Sequence, residues 1–259
     1  MIRTQRSVLA TAVAAAILGL SGAAQARLAS AQEVSFTNPQ GHTVPATLYR
    51  PVEPGPRPAV IMLPGCERSA ESAAETYRTW GERLAAAGYV ALLVDGDRPH
   101  GEGERCSATG ASERAADADG AYGFLAASGY AAADRIGLIG WSQGANGALA
   151  AVDASRAATN ASRFRTAVAF HPDCALDDGF GGVTQSTWKP YAPVRILQSA
   201  GAPYRDGTCT RRIARALRLG APSVSLVIHH GASSRPDVPA AWEVAGAEAM
   251  DLFHNLLRN

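Results

Sequence analysis

Arg135-Ile136-Gly137-Leu138-Ile139-Gly140-Trp141-Ser142-Gln143-Gly144 is the stretch on which the reading of this chain turns. Its first half is a short apolar run, the pattern of a strand buried on both faces. Its second half is a G-x-S-x-G pentapeptide, Gly140 to Gly144. Residues 143–158 follow, rich in alanine and other small residues, and read as a helix. A serine at such a strand-to-helix turn is a nucleophile elbow. The sharp turn lifts the hydroxyl off the sheet, and flanking glycines let strand and helix approach without Cβ clashes. The helix N-terminus brings N–H groups and the positive end of the dipole to a developing oxyanion. Ser142 is therefore the candidate nucleophile and the Gln143 N–H a candidate oxyanion donor. The competing reading is an ordinary glycine-rich turn.

Working outward, apolar runs at 59–63, 89–94, 166–170, 194–198 and 224–228 read as further strands. Segments 71–87, 111–127, 208–219 and 240–257 read as helices between and after them. Segments 33–37 and 43–49 alternate apolar and polar residues around Asn38-Pro39-Gln40-Gly41-His42, the pattern of an antiparallel hairpin at a sheet edge. Strand–helix alternation predicts an α/β protein with a mainly parallel sheet, whose ligands bind beyond the carboxyl ends of the strands. No linker, charge block or internal repeat divides the chain, so a single domain is expected.

The 259 residues carry 24 Lys+Arg against 23 Asp+Glu, with 47% hydrophobic and 18% charged residues. That balance excludes a disordered chain and leaves no cationic excess for nucleic acid. The first 26 residues have the three parts of a secretory signal peptide: Arg3 and Arg6, an uncharged apolar run at 8–20, and Ala24-Gln25-Ala26. The run falls short of the ~20 residues a spanning helix needs, and no later stretch reaches that length. Residues 27–259 are thus expected as an exported domain, periplasmic or secreted, without stable membrane insertion. Cys66, Cys106, Cys174 and Cys209 are even in number, and export makes disulfides plausible, but spacing leaves all three pairings open. No CxxC or HxxxH spacing points to a metal, and no G-x-G-x-x-G or GK[ST] loop points to a nucleotide, so no cofactor is expected.

From about Ala59 to about Asp237 the chain resembles the dienelactone hydrolase family of α/β-hydrolases. The landmarks are Leu63-Pro64-Gly65-Cys66, the AAGYVALLVD stretch at 86–95, RIGLIGWSQG at 135–144, AVAFHPDC at 167–174, and a last strand followed by His230-Gly231-Ala232. The resemblance implies an eight-stranded α/β-hydrolase sheet with helices on both faces, a Ser–Asp–His triad, and hydrolysis of small esters or lactones. In this fold the second oxyanion donor comes from the loop after the third strand, which makes the Cys66 N–H the partner of Gln143. Relatives often contact a substrate carboxylate with an arginine after the fourth strand; Arg98 or His100 could do so here, the competing reading being side chains solvated at the surface. Trp141 and His171 are expected at the substrate pocket.

The acid should follow the strand at 194–198, where Asp206 is the available carboxylate, two residues late by simple counting. Asp206 would equally serve to cap the helix starting near Thr208. The base should follow the last strand, but the family's histidine position is held by Ser233 or Ser234. His229 and His230 lie just before, and His230, nearer the loop, is the expected base. Two readings follow: an exported serine hydrolase with Ser142, His230 and Asp206, or a hydrolase-fold binding protein with a degraded triad. The resemblance also implies two disulfides between neighbouring strand ends on the active-site face, Cys66–Cys106 and Cys174–Cys209.

Overall fold

The computed structural model describes residues 28–65, 71–95, 110–157, 163–174, 187–199, 207–229 and 239–258. The chain opens with the expected hairpin, β1 (Leu28–Thr37) and β2 (Thr43–Pro51). Its turn is organised by Asn38, whose side-chain oxygen accepts the N–H groups of Gln40 and His42. The same Asn38 amide donates to Asp117 at 2.7 Å, tying the hairpin to a helix 79 residues away. Both strands run longer than the alternation alone suggested, because pairing continues past the polar positions.

β2 lies antiparallel to β4 (Val90–Val94), and from β4 onward the sheet is parallel. It continues through β3 (Arg57–Leu63), β5 (Ala131–Trp141), β6 (Ala167–Phe170), β7 (Val194–Ser199) and β8 (Val224–His229). The eight strands stand in the order β1-β2-β4-β3-β5-β6-β7-β8. β5 starts five residues earlier than the apolar run at Ile136, after a register irregularity between its pairings with Arg57 and Ala59.

Helices cover both faces. On one side lie α2 (Ala111–Ser128), α3 (Gln143–Ala151) and α5 (Thr208–Arg218); on the other lie α1 (Glu71–Ala86) and α6 (Pro239–Leu257). The strand period of two sorts the residues. Ala59, Ile61 and Leu63 of β3 enter the first core, and Val60 and Met62 the second. A strand buried on both faces therefore carries an unbroken apolar run.

The single helix expected over 143–158 is divided. α3 stops at Ala151, and a short α4 (Ala154–Ala157) resumes after Asp153. Asp153 is buried, bridges in backbone pairing to Pro190, and accepts the N–H groups of Ser155 and Lys189 on its carboxylate. An aspartate that bonds nearby backbone competes with helix continuation. Among the described residues no helix is long and apolar enough to cross a membrane.

Candidate active site

The turn from β5 into α3 is fixed by contacts that only glycine permits. A Cβ on Gly140 would lie 2.2 Å from the Gly144 carbonyl oxygen, and one on Gly144 would lie 2.0 Å from the Leu63 oxygen. Both would overlap backbone atoms, which cannot swing aside. The pentapeptide's glycines thus let the helix start directly against the ends of β3 and β5. Between them Ser142 takes φ 51° and ψ −116°. A non-glycine residue at positive φ costs on the order of 1–3 kcal/mol and persists only where its surroundings impose it. Here the Ser142 N–H donates to the Phe170 oxygen at 2.9 Å, and its carbonyl accepts the Asn146 N–H at 3.1 Å. The first N–H groups of α3, Gln143 among them, point out of the helix N-terminus, the orientation an oxyanion donor needs.

Trp141 is buried at 4% exposure and belongs to an aromatic cluster under the serine rather than to an open pocket wall. Its ring stacks on Phe170 with centroids 5.6 Å apart and meets the edges of Tyr77 and Trp80 at 5.1 and 5.7 Å. The residue's apolar bulk is satisfied by the core, and the turn is anchored through it.

His171 stands beside the serine. β5 and β6 pair Trp141 with Phe170, so Ser142 and His171 leave their strands side by side. His171 also has positive φ, at 51°, and its N–H donates to the Leu197 oxygen at 2.8 Å. Burial holds its imidazole below the ordinary range; the neighbouring Gln198 side chain opposes that shift, and the nearby His229 adds to it. His229, the last residue of β8, is also lowered by burial, with Glu248 on α6 opposing. Its Nε2 atom is buried without a hydrogen-bond partner among the described residues. Both imidazoles are thereby biased to the neutral form, which is the form that can accept a proton.

The loop after β6 is held by side chains. Asn146 of α3 donates to the Asp173 oxygen at 3.0 Å and accepts the Asp173 N–H at 2.9 Å. Cys174, the next residue, forms the expected disulfide with Cys209, with Cα atoms 5.2 Å apart. Gln198 donates to the Pro172 oxygen at 2.9 Å and to the Cys209 sulfur at 3.2 Å. The sequence reading missed Asn146, Gln198 and Tyr77. Asn146 had a signal, an amide among the small and apolar residues that follow Gln143 in the helix; the other two had none. Cys66, Arg98, His100, Cys106, Asp206 and His230 lie outside the described residues. No group of three His, Cys, Asp or Glu arranged to hold a metal occurs among the described residues.

No protein-family sequence profile matches the chain, and no curated protein matches it either. Solved structures do. A Klebsiella pneumoniae protein assigned to the dienelactone hydrolases aligns with TM-score 0.68 at 20% identity, over 89% of this chain and 99% of that one. A dienelactone hydrolase-like promiscuous phosphotriesterase from metagenomic libraries aligns with TM-score 0.65 at 20% identity, over 88% of this chain and 98% of that one. Esterase 2 of Thermogutta terrifontis, in a form phosphorylated by paraoxon, aligns with TM-score 0.66 at 17% identity, over 88% and 95% of the two chains. The chain therefore has the α/β-hydrolase fold of the dienelactone hydrolases and related esterases, with Ser142 at the turn where β5 meets α3.

Proposed function

We propose that this chain is an exported serine hydrolase that cleaves a small carboxylic ester or lactone. The observation that carries the reading is the strained Ser142, held at φ 51° between two glycines that tolerate no Cβ. Strain of this kind is maintained where it aims a reacting group. Ser142 Oγ attacks the substrate carbonyl while His230 takes its proton and Asp206 orients His230. The N–H groups of Gln143 and Cys66 receive the oxyanion. The tetrahedral intermediate expels the alcohol, which leaves with the proton from His230, and water then releases the acyl group by the same steps in reverse. With a lactone the freed alcohol remains part of the acyl chain, and water releases a single hydroxy acid in the second step. Arg98 or His100 would select a substrate carboxylate. Export is supported by the 1–26 signal pattern and by the Cys174–Cys209 disulfide, which suits an oxidising compartment.

The similarity to an esterase phosphorylated by paraoxon and to a promiscuous phosphotriesterase supports the use of an organophosphate as a probe of the serine. The test is hydrolysis of 4-nitrophenyl acetate and dihydrocoumarin by wild type, Ser142→Ala and His230→Ala. Wild type is expected to turn over at least one of them, with each variant slower by about 10³-fold or more. An inert wild type would favour the second reading, a binding protein with a degraded triad. Ser233 and Ser234, at the family's histidine position, are the feature that favours it.

A further inference from the structure

A cavity lies at the far end of the sheet from Ser142, where β2 ends and β3 begins. β3 runs from Arg57 at this cavity to Leu63, which pairs with Gly140 beside the serine's turn. Its seven residues, rising ~3.3 Å each, put the two ends about 20 Å apart. The cavity has a volume of about 230 Å³. Among the described residues that line it there is no serine, cysteine or histidine, so its chemistry is that of binding rather than of reaction. Two of the five large apolar side chains exposed among the described residues, Val52 and Tyr130, border it. Exposed apolar side chains that meet at one hollow, rather than scattering singly, mark a binding surface.

The walls are held in place before any ligand arrives. Tyr130 is bonded on both sides of its backbone: its N–H donates to Ser128 Oγ at 3.1 Å, and its carbonyl accepts the Arg57 N–H at 2.8 Å. The Arg50 guanidinium lies over the Tyr130 ring, 4.4 Å from its centroid. Pro51 and Pro54, both in the lining, fix φ along the connection from β2 to β3. Arg50 and Arg57 face Glu53 alone among charged lining residues, which leaves one positive charge in excess. Among the described residues Arg57 and Glu53 form no ion pair, so that excess is not cancelled locally. We propose that this cavity is a second binding site, for a small organic carboxylate. Its apolar body packs on Val52, Val90 and the Tyr130 ring, and its charge is met by Arg57 and Arg50. A guanidinium takes a carboxylate through two parallel N–H···O bonds. One excess positive charge matches one carboxylate, whereas a phosphate dianion brings a second negative charge into a lining that already holds Glu53. The volume lies below that of sites for drug-sized ligands and suits a single aromatic ring or a short acyl chain. No residue of the β5–α3 turn takes part, so the site stands or falls independently of the serine-hydrolase reading.

Benzoate is the probe, with benzamide as its uncharged counterpart and inorganic phosphate as a plain anion. Backbone amide shifts of the purified protein are followed through each titration. Benzoate is expected to move the amides of Val52, Glu53, Gly55, Arg57 and Tyr130 along one saturation curve, with Kd on the order of 1 mM for so small a ligand. Benzamide and phosphate are expected to bind at least about 10-fold more weakly. Arg50 has a further interaction besides the ring, so the variant is Arg57→Gln, which keeps the backbone bond to Tyr130. It should weaken benzoate by roughly 10-fold or more. Val52→Glu stands in if Arg57→Gln does not fold. It changes an exposed side chain, adds a negative charge at the cavity and should weaken benzoate by about 10-fold as well. Benzamide binding as well as benzoate would overturn the proposal by marking a merely apolar cleft, and phosphate doing so would mark an unselective pair of cations. So would benzoate shifts confined to residues around Ser142, equal binding by wild type and the folded variant, or no saturable shift up to about 20 mM.

Discussion

The two ends of the candidate site are built by different means. At the β5–α3 turn, position is set by backbone meeting backbone. Gly140 and Gly144 sit against carbonyl groups, Ser142 is bonded through its own N–H to β6, and Trp141 is locked in an aromatic cluster. Around the ends of β6 and β7, position is set by side chains that span gaps. Asn146 clasps Asp173, Cys174 is bonded to Cys209, and Gln198 reaches both Pro172 and Cys209. Backbone packing admits almost no substitution, whereas side-chain ties can be removed one at a time. The nucleophile's geometry should therefore be all-or-none, and that of the facing loop graded.

The largest effect expected from this contrast is at Gly144. Gly144→Ala places a methyl group into the Leu63 carbonyl, and expression should yield no folded protein by circular dichroism. A variant that folds and hydrolyses esters normally would break the contrast at its stronger end. At the other end, Cys174→Ser with Cys209→Ser opens a link between residues 35 apart in sequence. Chain-entropy reasoning puts the loss at about 3–4 kcal/mol, read as a lower urea midpoint, with the fold retained. Asn146→Ala removes two hydrogen bonds to the Asp173 backbone and should cost about 1–3 kcal/mol in the same assay. It should slow ester turnover far less than Ser142→Ala does.

The smallest effect is on pH dependence. Burial depresses the His171 imidazole, and His229 beside it is depressed as well. Below the ordinary imidazole range, near pH 6.5, the unfolded chain then binds more protons than the folded one. Stability should fall as pH drops from about 7 toward about 5, and His171→Gln should flatten that slope. Gln198 faces His171, and Glu248 faces His229; both oppose the shifts and keep the slope shallow. A thermal midpoint equal at both pH values in wild type would show that neither imidazole is buried in solution.

How much could be read beforehand follows the same division. The strands themselves, their burial on two faces and the serine's turn were legible because each depends on residues close in sequence, such as the apolar run at Ile136 to Ile139 and the glycines two residues either side of Ser142. The split after Ala151 was not, since Asp153 breaks the helix by binding Lys189, whose approach depends on how β6 and β7 are joined. Tyr77 gave no signal, because its hydroxyl finds Gly65 only when α1 folds back on the loop that precedes it. Trp141 looked like a pocket residue from its place next to the serine; the alternation of a strand instead turns its ring into the core. The Cys174–Cys209 bridge followed from the resemblance and not from spacing, since four cysteines allow any of three pairings.

The most direct measurement is intact mass and peptide mapping after wild type and Ser142→Ala are treated with paraoxon or a fluorophosphonate. The expected result is a single adduct on the peptide containing Ser142 in wild type and none in Ser142→Ala. No adduct on folded wild type, or an adduct that survives Ser142→Ala, would contradict the assignment of Ser142 as the nucleophile.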